Sequence, residues 1–396
     1  MNEELVKKLA RGELSFHQIG ENCSLEEAPE MRRKALEQMT GVKLEHVGKY
    51  SINLAAVTGK NIDNPVGAVQ VPVGVAGPLK VKAEGREAEH PIFLATTEGA
   101  LVASVNRGCS ALNKAGGARA IVLKDEMTRA PAFRCESAGD SVKFVEWVKG
   151  NEEKIRAEAE STTKHGKLVS ITPFFIGRTV WLRFSYHTGE ASGLNMVTIA
   201  TKKAVDFIQK SQELAKCIAL SGNACIDKKT SAMNFILGRG KSVIAEATIP
   251  AVVLEEVLKC TPEEFVEVNY RKNLLGSVMA GAHGFNAHAA NPAAAMLIAL
   301  GQDEAHAVDA SYCVTSAEAN SDGSLYVSVT MPSVYVGSLG GGTRVETQKE
   351  LLGATGVESA RELACVLASA VLAGEISLVG ALATGTLASA HAELGR

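Results

Sequence analysis

The chain has 396 residues, of which 46% are hydrophobic and 21% charged, and its formal net charge is -3. This length can bury a large core and predicts two or three domains. The near-neutral balance excludes the broad basic field that favours nucleic acid or an anionic membrane as a partner. Eight scattered cysteines without a Cys-x-x-Cys pair predict reduced thiols in a cytoplasmic protein, and no metal site.

Short helices are predicted for the first 45 residues. Ser24 and Glu27 have the spacing of a capping box, and Gly41 is placed to end the helix that follows. Valines alternate with glycine and proline over residues 67–83, which predicts strands with tight turns. A helix over residues 97–112 is predicted next, with Gly116 and Gly117 to stop it.

The character of the sequence changes between about residues 130 and 220. Val180, Leu182 and Phe184 alternate with other residues and are predicted to share one face of a strand, while residues 201–220 have the pattern of an amphipathic helix. This combination predicts a small α+β unit inserted into a larger domain. The predicted limits are 1–45, 46–130, 131–219 and 220–396.

Buried helices are predicted for the rest of the chain. One begins at Thr261-Pro262-Glu263-Glu264, where the capping residue, the proline and the second glutamate agree. The apolar tract over residues 363–390 contains Glu375 and many small residues, which favours two buried helices over a membrane span.

Four titratable residues lie where a purely structural sequence would more readily place apolar ones. Glu98 is predicted in the first turn of a helix of small residues, Lys228 in an Asp-Lys-Lys loop, Asp303 after a buried helix, and His391 near the C-terminus. Each also has a structural interpretation as a helix-dipole glutamate, a solvated turn, a helix end or a solvated tail. The glycine runs at 281–291 and 340–343 lack Rossmann spacing, so a nucleotide would bind to another fold.

Ten segments, taken together and in order, resemble the 3-hydroxy-3-methylglutaryl-coenzyme A (HMG-CoA) reductase family. They are PVGVAGPL (72–79), TTEGALVASVNRGC (96–109), MTR (127–129), GLNM (193–196), SGNACIDKK (221–229), RGKSV (239–243), KNLLGSVMAG (272–281), NAHAAN (286–291), GQD (301–303) and MPSVYVGSLGGGT (331–343). The resemblance is to the class I, NADPH-using branch in a soluble, archaeal-type form.

This resemblance implies an α+β fold with three parts. They are a large mixed helical and stranded substrate-binding domain, an inserted small ferredoxin-like nucleotide-binding domain, and a helical N-terminal segment. It also implies a homodimer or larger homo-oligomer, with active sites shared between subunits and no membrane partner.

The roles of the four titratable residues follow from the resemblance together with the chemistry of thioester reduction. Lys228 would stabilise the negative charge on the carbonyl oxygen, and His391 would protonate the departing coenzyme A thiolate. Glu98 would protonate the final alkoxide. We hypothesise that Glu98, Lys228 and Asp303 titrate as one coupled unit.

The resemblance also implies the binding residues. The substrate and coenzyme A would be bound by Ser104, Asn106, Arg107, Arg129, Ser221, Asp227, Lys229, Lys272, His288 and Asn291. NADPH would be bound by Thr163, Lys164, Gly193, Asn195, Met196, Gly341, Gly342 and Thr343, with Lys164 at the 2′-phosphate.

The implied reaction is the four-electron reduction of (S)-HMG-CoA to (R)-mevalonate and free coenzyme A in isoprenoid biosynthesis. Two alternatives remain open: NAD-dependent oxidation of mevalonate on the same fold, and a catalytically silent scaffold that binds coenzyme A. A preference for NADPH over NADH would distinguish the proposed reduction from the first alternative. Retention of the four titratable residues argues against the second.

Overall fold

A computed structural model describes residues 2–385 of the protein. Within this range ten strands form, at β1 (Val73–Ala83), β2 (Arg86–Ala95), β3 (Ala118–Arg129), β4 (Ala132–Cys135), β5 (Lys167–Ile176), β6 (Thr179–His187), β7 (Ala215–Ala219), β8 (Gly240–Ile249), β9 (Val314–Ala319) and β10 (Leu325–Val334). The sixteen α-helices in the same range are α1 (Glu3–Ala10), α2 (Ile19–Asn22), α3 (Ala28–Thr40), α4 (Leu54–Val57), α5 (Leu101–Lys114), α6 (Ala138–Gly150), α7 (Glu152–Glu160), α8 (Leu194–Ser211), α9 (Ala232–Leu237), α10 (Ala251–Val253), α11 (Pro262–Val268), α12 (Ser277–Ala280), α13 (Ala290–Ala299), α14 (Ala307–Ser311), α15 (Glu346–Ala354) and α16 (Ala360–Ala383). Two π-helical segments (Leu254–Leu258, Asn269–Gly276) and two 3-10 turns (Glu304–His306, Gly341–Arg344) complete the regular structure. The mixture of helix and strand confirms the predicted α+β class.

The larger sheet has the order β2-β1-β3-β8-β10-β9 and is parallel only between β1 and β3. Helices α5 and α16 pack against each other and against this sheet. Their contact point is Gly108, where a Cβ atom would lie 1.9 Å from the carbonyl oxygen of Ala373. The helices approach this closely because glycine has no side chain, which brings the polar residues of α5 next to α16.

The smaller sheet is antiparallel, in the order β5-β6-β4-β7. Its elements follow one another as β4, α6 and α7, β5, β6, α8 and β7, which is the βαββαβ connectivity of ferredoxin-like units. The last residues of β3, Met127–Arg129, pair with β6 and join the two sheets. Arg129 therefore lies at the junction between them.

The core of the smaller unit is separate from that of the larger sheet. Val180, Leu182 and Phe184 are fully buried in it, which confirms the face predicted from their alternation. Phe133 and Phe144 pack beside them, with ring centroids 5.0 Å apart. The domain limits at residues 46, 131 and 220 stay predictions.

Two helix ends agree with the sequence signals. Helix α3 ends at Gly41, whose φ of 73° and bond to the Glu37 carbonyl form a left-handed cap. Helix α11 has a complete capping box, because Thr261 and Glu264 each accept a hydrogen bond from the other's backbone. Both signals act within a few residues, so they could be read locally.

Two predicted helices have wrong limits. Helix α5 begins at Leu101 rather than 97, because the Thr96 hydroxyl accepts a hydrogen bond from the Glu98 backbone and holds an irregular turn ahead of the helix. Glu98 therefore precedes the helix instead of occupying its first turn. Residues 215–219, predicted as helix, form β7, because their backbone pairs with β4.

Within the described residues the apolar tract near the C-terminus forms one helix as far as Ala383, so the predicted break at Glu375 is wrong, and residues 386–390 of the tract lie outside the described residues. Glu375, which was expected to break it, is fully buried in α16. Its carboxylate accepts hydrogen bonds from the backbone of Ala287 and His288 at 2.7 and 2.8 Å and from the Thr315 hydroxyl at 2.6 Å. Helix α16 has the length and composition of a membrane span. However, 94% of its most apolar 18-residue stretch is buried inside the protein.

Candidate functional site

Lys228 lies in the loop between β7 and α9, with its backbone in the left-handed region at φ 55°. Its Nζ is 2.7 Å from Oδ2 of Asp303, and the two side chains are 43% and 37% exposed. This hydrogen bond raises the pKa of Lys228, so the amine is held as an ammonium. The pair places a fixed positive charge where a ligand can reach it.

Asp227 anchors the same loop to the interior. Its Oδ1 accepts a hydrogen bond at 2.8 Å from Arg239, whose side chain is completely buried. Burial raises the pKa of Asp227, but the charge and the hydrogen bond of Arg239, together with the charges of His306 and Arg129, outweigh burial and lower the pKa. Arg239 also donates to the hydroxyl and the carbonyl of Thr128 on β3. The loop is thus tied to the sheet through one buried guanidinium.

Two further cationic residues lie close to this loop. Lys229 is exposed and its Nζ donates to the Asp227 carbonyl at 3.0 Å. Arg129 is only 8% exposed and donates to the Ser221 and Thr198 hydroxyls at 3.2 and 2.8 Å. Its buried Nε has no partner among the described residues. A buried guanidinium held by neutral hydroxyls keeps the capacity to bind an anion.

Six of the eight predicted cofactor residues line one cleft of about 640 Å³. They come from the start of α8 and from the 3-10 turn at 341–344, and they are Gly193, Asn195, Met196, Gly341, Gly342 and Thr343. Asp303 also lies on its wall, so the cleft reaches the Lys228 pair. The structure therefore brings the nucleotide motifs and part of the predicted catalytic set together.

The start of α8 explains the glycine of the GLNM motif. Gly193 has a φ of 84°, and a Cβ atom there would lie 2.3 Å from Cγ2 of Thr188. The first residues of this 18-residue helix line the cleft, and a helix N-terminus is a favourable place for a phosphate. Thr163 contacts Met196, with Oγ1 3.3 Å from the sulfur, so the turn that carries the exposed Lys164 lies beside the motif.

Two further predicted residues, Asn291 and Lys272, belong to segments on either side of residues 286–289, and one of them contacts Glu98. The Asn291 side chain donates to Oε2 of Glu98 at 2.6 Å. Lys272 is partly buried, and its Nζ has only the Asn273 amide oxygen and the Ala287 carbonyl nearby, each at 3.4 Å. Among the residues described, Lys272 forms no ion pair. Its charge is therefore available to an anionic ligand.

The remaining predicted substrate residues are fixed mostly by α16. Ser104 and Arg107 both contact the Ser377 hydroxyl at 3.0 Å, and Arg107 also donates to the Ser377 carbonyl. The His288 ring contacts the Gly374 carbonyl at 2.9 Å. Asn106 instead accepts a hydrogen bond at 3.0 Å from the backbone of Gly77 on β1.

The two groups lie at opposite ends of α13. Asn291, which holds Glu98, is in the first turn of this helix, and Asp303, which holds Lys228, follows its last turn. A helix of ten residues is about 15 Å long. Within residues 2–385 of one chain, no ion pair joins Glu98 to Lys228 or Asp303. The coupled titration of Glu98, Lys228 and Asp303 stays a prediction. It would require a second chain that brings the two groups together.

His391, the fourth predicted catalytic residue, lies outside the described residues. In the described part of the chain, no three His, Cys, Asp or Glu side chains are grouped so that they could hold a metal ion.

Sequence reasoning missed two residues that contact the site. Arg239 was part of a quoted motif, but nothing local indicated that it would be buried against Asp227. His306 lies three residues after Asp303, and a helical turn at that spacing places the two side chains on one face. This spacing was the available signal.

Comparisons with known proteins agree with the geometry. The family model for hydroxymethylglutaryl-coenzyme A reductase matches residues 28–396. The 3-hydroxy-3-methylglutaryl-coenzyme A reductase of Pyrococcus abyssi is 49% identical over 405 residues, which cover 100% of this chain and 99% of that protein. The enzyme of the same name from Methanothermobacter thermautotrophicus is 50% identical over 396 residues and 99% of both chains.

Among solved structures, the fold is similar to a class II 3-hydroxy-3-methylglutaryl-CoA reductase from Streptococcus pneumoniae bound to NADPH. The TM-score is 0.66 at 19% identity, over 81% of this chain and 78% of that one. A second structure of the Streptococcus pneumoniae enzyme gives 0.65 at 18% identity, over 93% and 87%. At this identity the likeness concerns the fold alone.

Proposed function

Because the chain belongs to the hydroxymethylglutaryl-coenzyme A reductase family, and is therefore an oxidoreductase of the mevalonate pathway, we propose that it is NADPH-dependent. The proposed reaction is the four-electron reduction of (S)-HMG-CoA to (R)-mevalonate and free coenzyme A. One observation carries the proposal: the Lys228–Asp303 pair, 2.7 Å apart, lies at the wall of the cleft formed by the nucleotide motifs.

Lys228 supplies the electrostatic part of the mechanism. Each hydride addition builds negative charge on the carbonyl oxygen, and an ammonium already fixed beside it stabilises that charge without reorganisation. Asp303 keeps the ammonium charged and directed. His391 protonates the departing coenzyme A thiolate, and Glu98 gives the last proton to the alkoxide.

Substrate binding uses the cations that lack an ionic partner. Arg129 and Lys272 suit the carboxylate of the substrate, because neither forms an ion pair among the described residues. Arg107, which donates to Ser377 on α16, would bind the coenzyme A portion. Binding an anion at these places would satisfy groups that otherwise remain unpaired.

NADPH supplies the hydride when it is bound. The N-terminus of α8 and the glycine turn at 341–342 would hold its phosphates, since both line the cleft. Lys164 would bind the 2′-phosphate that distinguishes NADPH from NADH. The enzyme acts in the cytoplasm as a soluble protein.

We further propose a homodimer with shared sites. The separation of the Glu98 and Lys228 groups along α13 supports this, because a second chain can bring one group to the other. Glu98→Gln and Lys228→Ala chains should each be inactive as homodimers. After unfolding and refolding together in equal amounts they should regain about a quarter of the normal activity, since half of the dimers then contain one intact site. No recovery would contradict a shared site.

The deciding assay is oxidation of NADPH with HMG-CoA as substrate. Lys228→Ala should lower kcat about 100- to 1000-fold, because a preorganised charge at the oxyanion is lost. Lys210→Ala, which removes an exposed lysine from the last turn of α8, is the matched control and should turn over normally. Unchanged turnover in Lys228→Ala, or a strong preference for NADH, would overturn the proposal.

A further inference from the structure

A buried histidine lies directly behind the Asp303 carboxylate. His306 closes the 3-10 turn at Glu304–His306, and its side chain is 2% exposed. Asp303 caps that turn, with Oδ1 accepting a hydrogen bond from the Ala305 backbone at 3.1 Å. The turn therefore stacks the imidazole of His306 on the inner side of Asp303, away from solvent.

The two ring nitrogens of His306 have different partners. Nδ1 is 3.0 Å from Oδ2 of Asp309, which is completely buried. Nε2 has no hydrogen-bond partner among the described residues, and it lies 3.6 Å from Oδ2 of Asp303. That oxygen is the one to which Lys228 donates at 2.7 Å. The side chains thus follow one another as Asp309, His306, Asp303 and Lys228.

The chemistry of this series decides which way the imidazole donates. A carboxylate only accepts, so Nδ1 carries a proton toward Asp309. A bare Nε2 would set its lone pair against the Asp303 oxygen, whereas a protonated Nε2 satisfies both carboxylates. Tyr335 packs on the ring at 4.3 Å between centroids, and its hydroxyl donates to the other Asp309 oxygen at 3.4 Å. Asp309 and Tyr335 therefore hold the imidazole, and its Nε2 lies next to Asp303.

We propose that His306 is a positioning residue for the reduction: it donates from Nε2 to Oδ2 of Asp303 and so fixes the direction in which Lys228 presents its ammonium. This inference rests on the proposed function. The contact at 3.6 Å is an ion-pair distance, and in this proposal it shortens to a hydrogen bond in the substrate complex. A histidine with a purely structural role would have both nitrogens satisfied by the core, whereas Nε2 of His306 has no hydrogen-bond partner among the described residues and lies 3.6 Å from the Asp303 carboxylate.

Two substitutions of similar size separate positioning from structure. In His306→Gln the side-chain amide reaches the place of Nε2 and still donates to Asp303. In His306→Asn the shorter amide reaches only the place of Nδ1, so it keeps the Asp309 contact and loses Asp303. We expect His306→Gln to keep kcat within about threefold, and His306→Asn to lose about 10- to 100-fold in kcat with little change in KM for HMG-CoA.

Thermal unfolding of both variants controls for the fold. Equal activity of His306→Gln and His306→Asn would overturn the proposal, whether both are normal or both are reduced together with their Tm. A loss of activity in His306→Asn alone, with similar Tm values, supports it.

A spectroscopic measurement keeps the inference testable if a variant does not fold or if HMG-CoA is not the substrate. The ring ¹⁵N resonances of His306, assigned by their loss in His306→Gln, are compared between the wild-type protein and Asp303→Asn. A shift of the Nε2 resonance supports the contact, and an unchanged Nε2 resonance overturns it. Absence of NADPH oxidation by the wild-type enzyme would instead contradict the proposed function alone.

Discussion

Replacing Arg239 by methionine should show how strongly the Lys228 loop depends on one buried charge. The substitution keeps an unbranched side chain of similar length but removes every donor. Asp227 then loses its ionic partner, and the carbonyl and hydroxyl of Thr128 lose the hydrogen bonds that Arg239 donates to them. Arg239 is also packed over the ring of Tyr335, at 4.9 Å from its centroid, so the new side chain has an apolar surface to rest on.

The expected loss of unfolding free energy is about 3 kcal/mol, the lower end of what removing one member of a buried ion pair costs. The lower end applies because Asp227 is 27% exposed and water can partly replace the lost donor. Arg119→Met, an exposed arginine on β3, is the matched control and should change stability by less than about 0.5 kcal/mol.

The effect should depend on pH with a defined sign. The pKa of Asp227 is lowered in the folded protein, so its contribution to stability is present above its unfolded pKa of about 3.9 and is lost as pH falls through the folded value. Without Arg239, burial is opposed only by the weaker charges of His306 and Arg129, so most of this contribution is lost. The difference between wild type and Arg239→Met should therefore be largest near neutral pH and shrink as the pH falls below about 4.

Urea unfolding followed by circular dichroism at several pH values measures this difference. NADPH oxidation should fall in the same variant, because the loop that carries Lys228 loses its anchor. A destabilisation below about 1 kcal/mol at pH 7, or one that stays constant as the pH falls from 7 to about 2, would refute the assignment of Arg239 as the anchor of Asp227.

Three other substitutions test separate features. Gly108→Ala should destabilise the protein by about 1 to 3 kcal/mol because its Cβ would overlap the Ala373 carbonyl, whereas Gly150→Ala, with open space around its Cβ position, should be neutral in the same thermal unfolding assay. Glu375→Leu should cost about 3 kcal/mol or more in urea unfolding, since two buried N–H groups and a hydroxyl lose their acceptor. Lys164→Ala should raise KM for NADPH about tenfold and leave KM for NADH nearly unchanged in steady-state kinetics, because one charge at the 2′-phosphate is worth about 1.4 kcal/mol; equal changes for both cofactors would contradict its role.

Much of the candidate site could be predicted because its residues occur in motifs that keep their order along the chain. The six cofactor residues of the α8 start and the 341–343 turn were predicted from such motifs, and they line one cleft. The Lys228–Asp303 contact could not be derived from spacing, because 75 positions of chain separate the two residues and only the fold sets their distance. The buried environment of Arg239 and His306 was likewise set by packing rather than by neighbouring residues.

The sequence alone determined those features whose causes lie within a few residues: the Gly41 helix end, the capping box of α11 and the alternating face of β6. It also determined the family, since ten motifs in register specify a chain more strongly than any one. Tertiary structure decided the cases where distant groups compete with local preference. Glu375 stays inside one continuous helix because its three donors come from residues 287, 288 and 315, and residues 215–219 are a strand because β4 pairs with them. Partners this far along the chain leave no local pattern in the sequence. Leaving a buried carboxylate or a strand edge without hydrogen-bond partners would cost more free energy than the differences in helix propensity between residues.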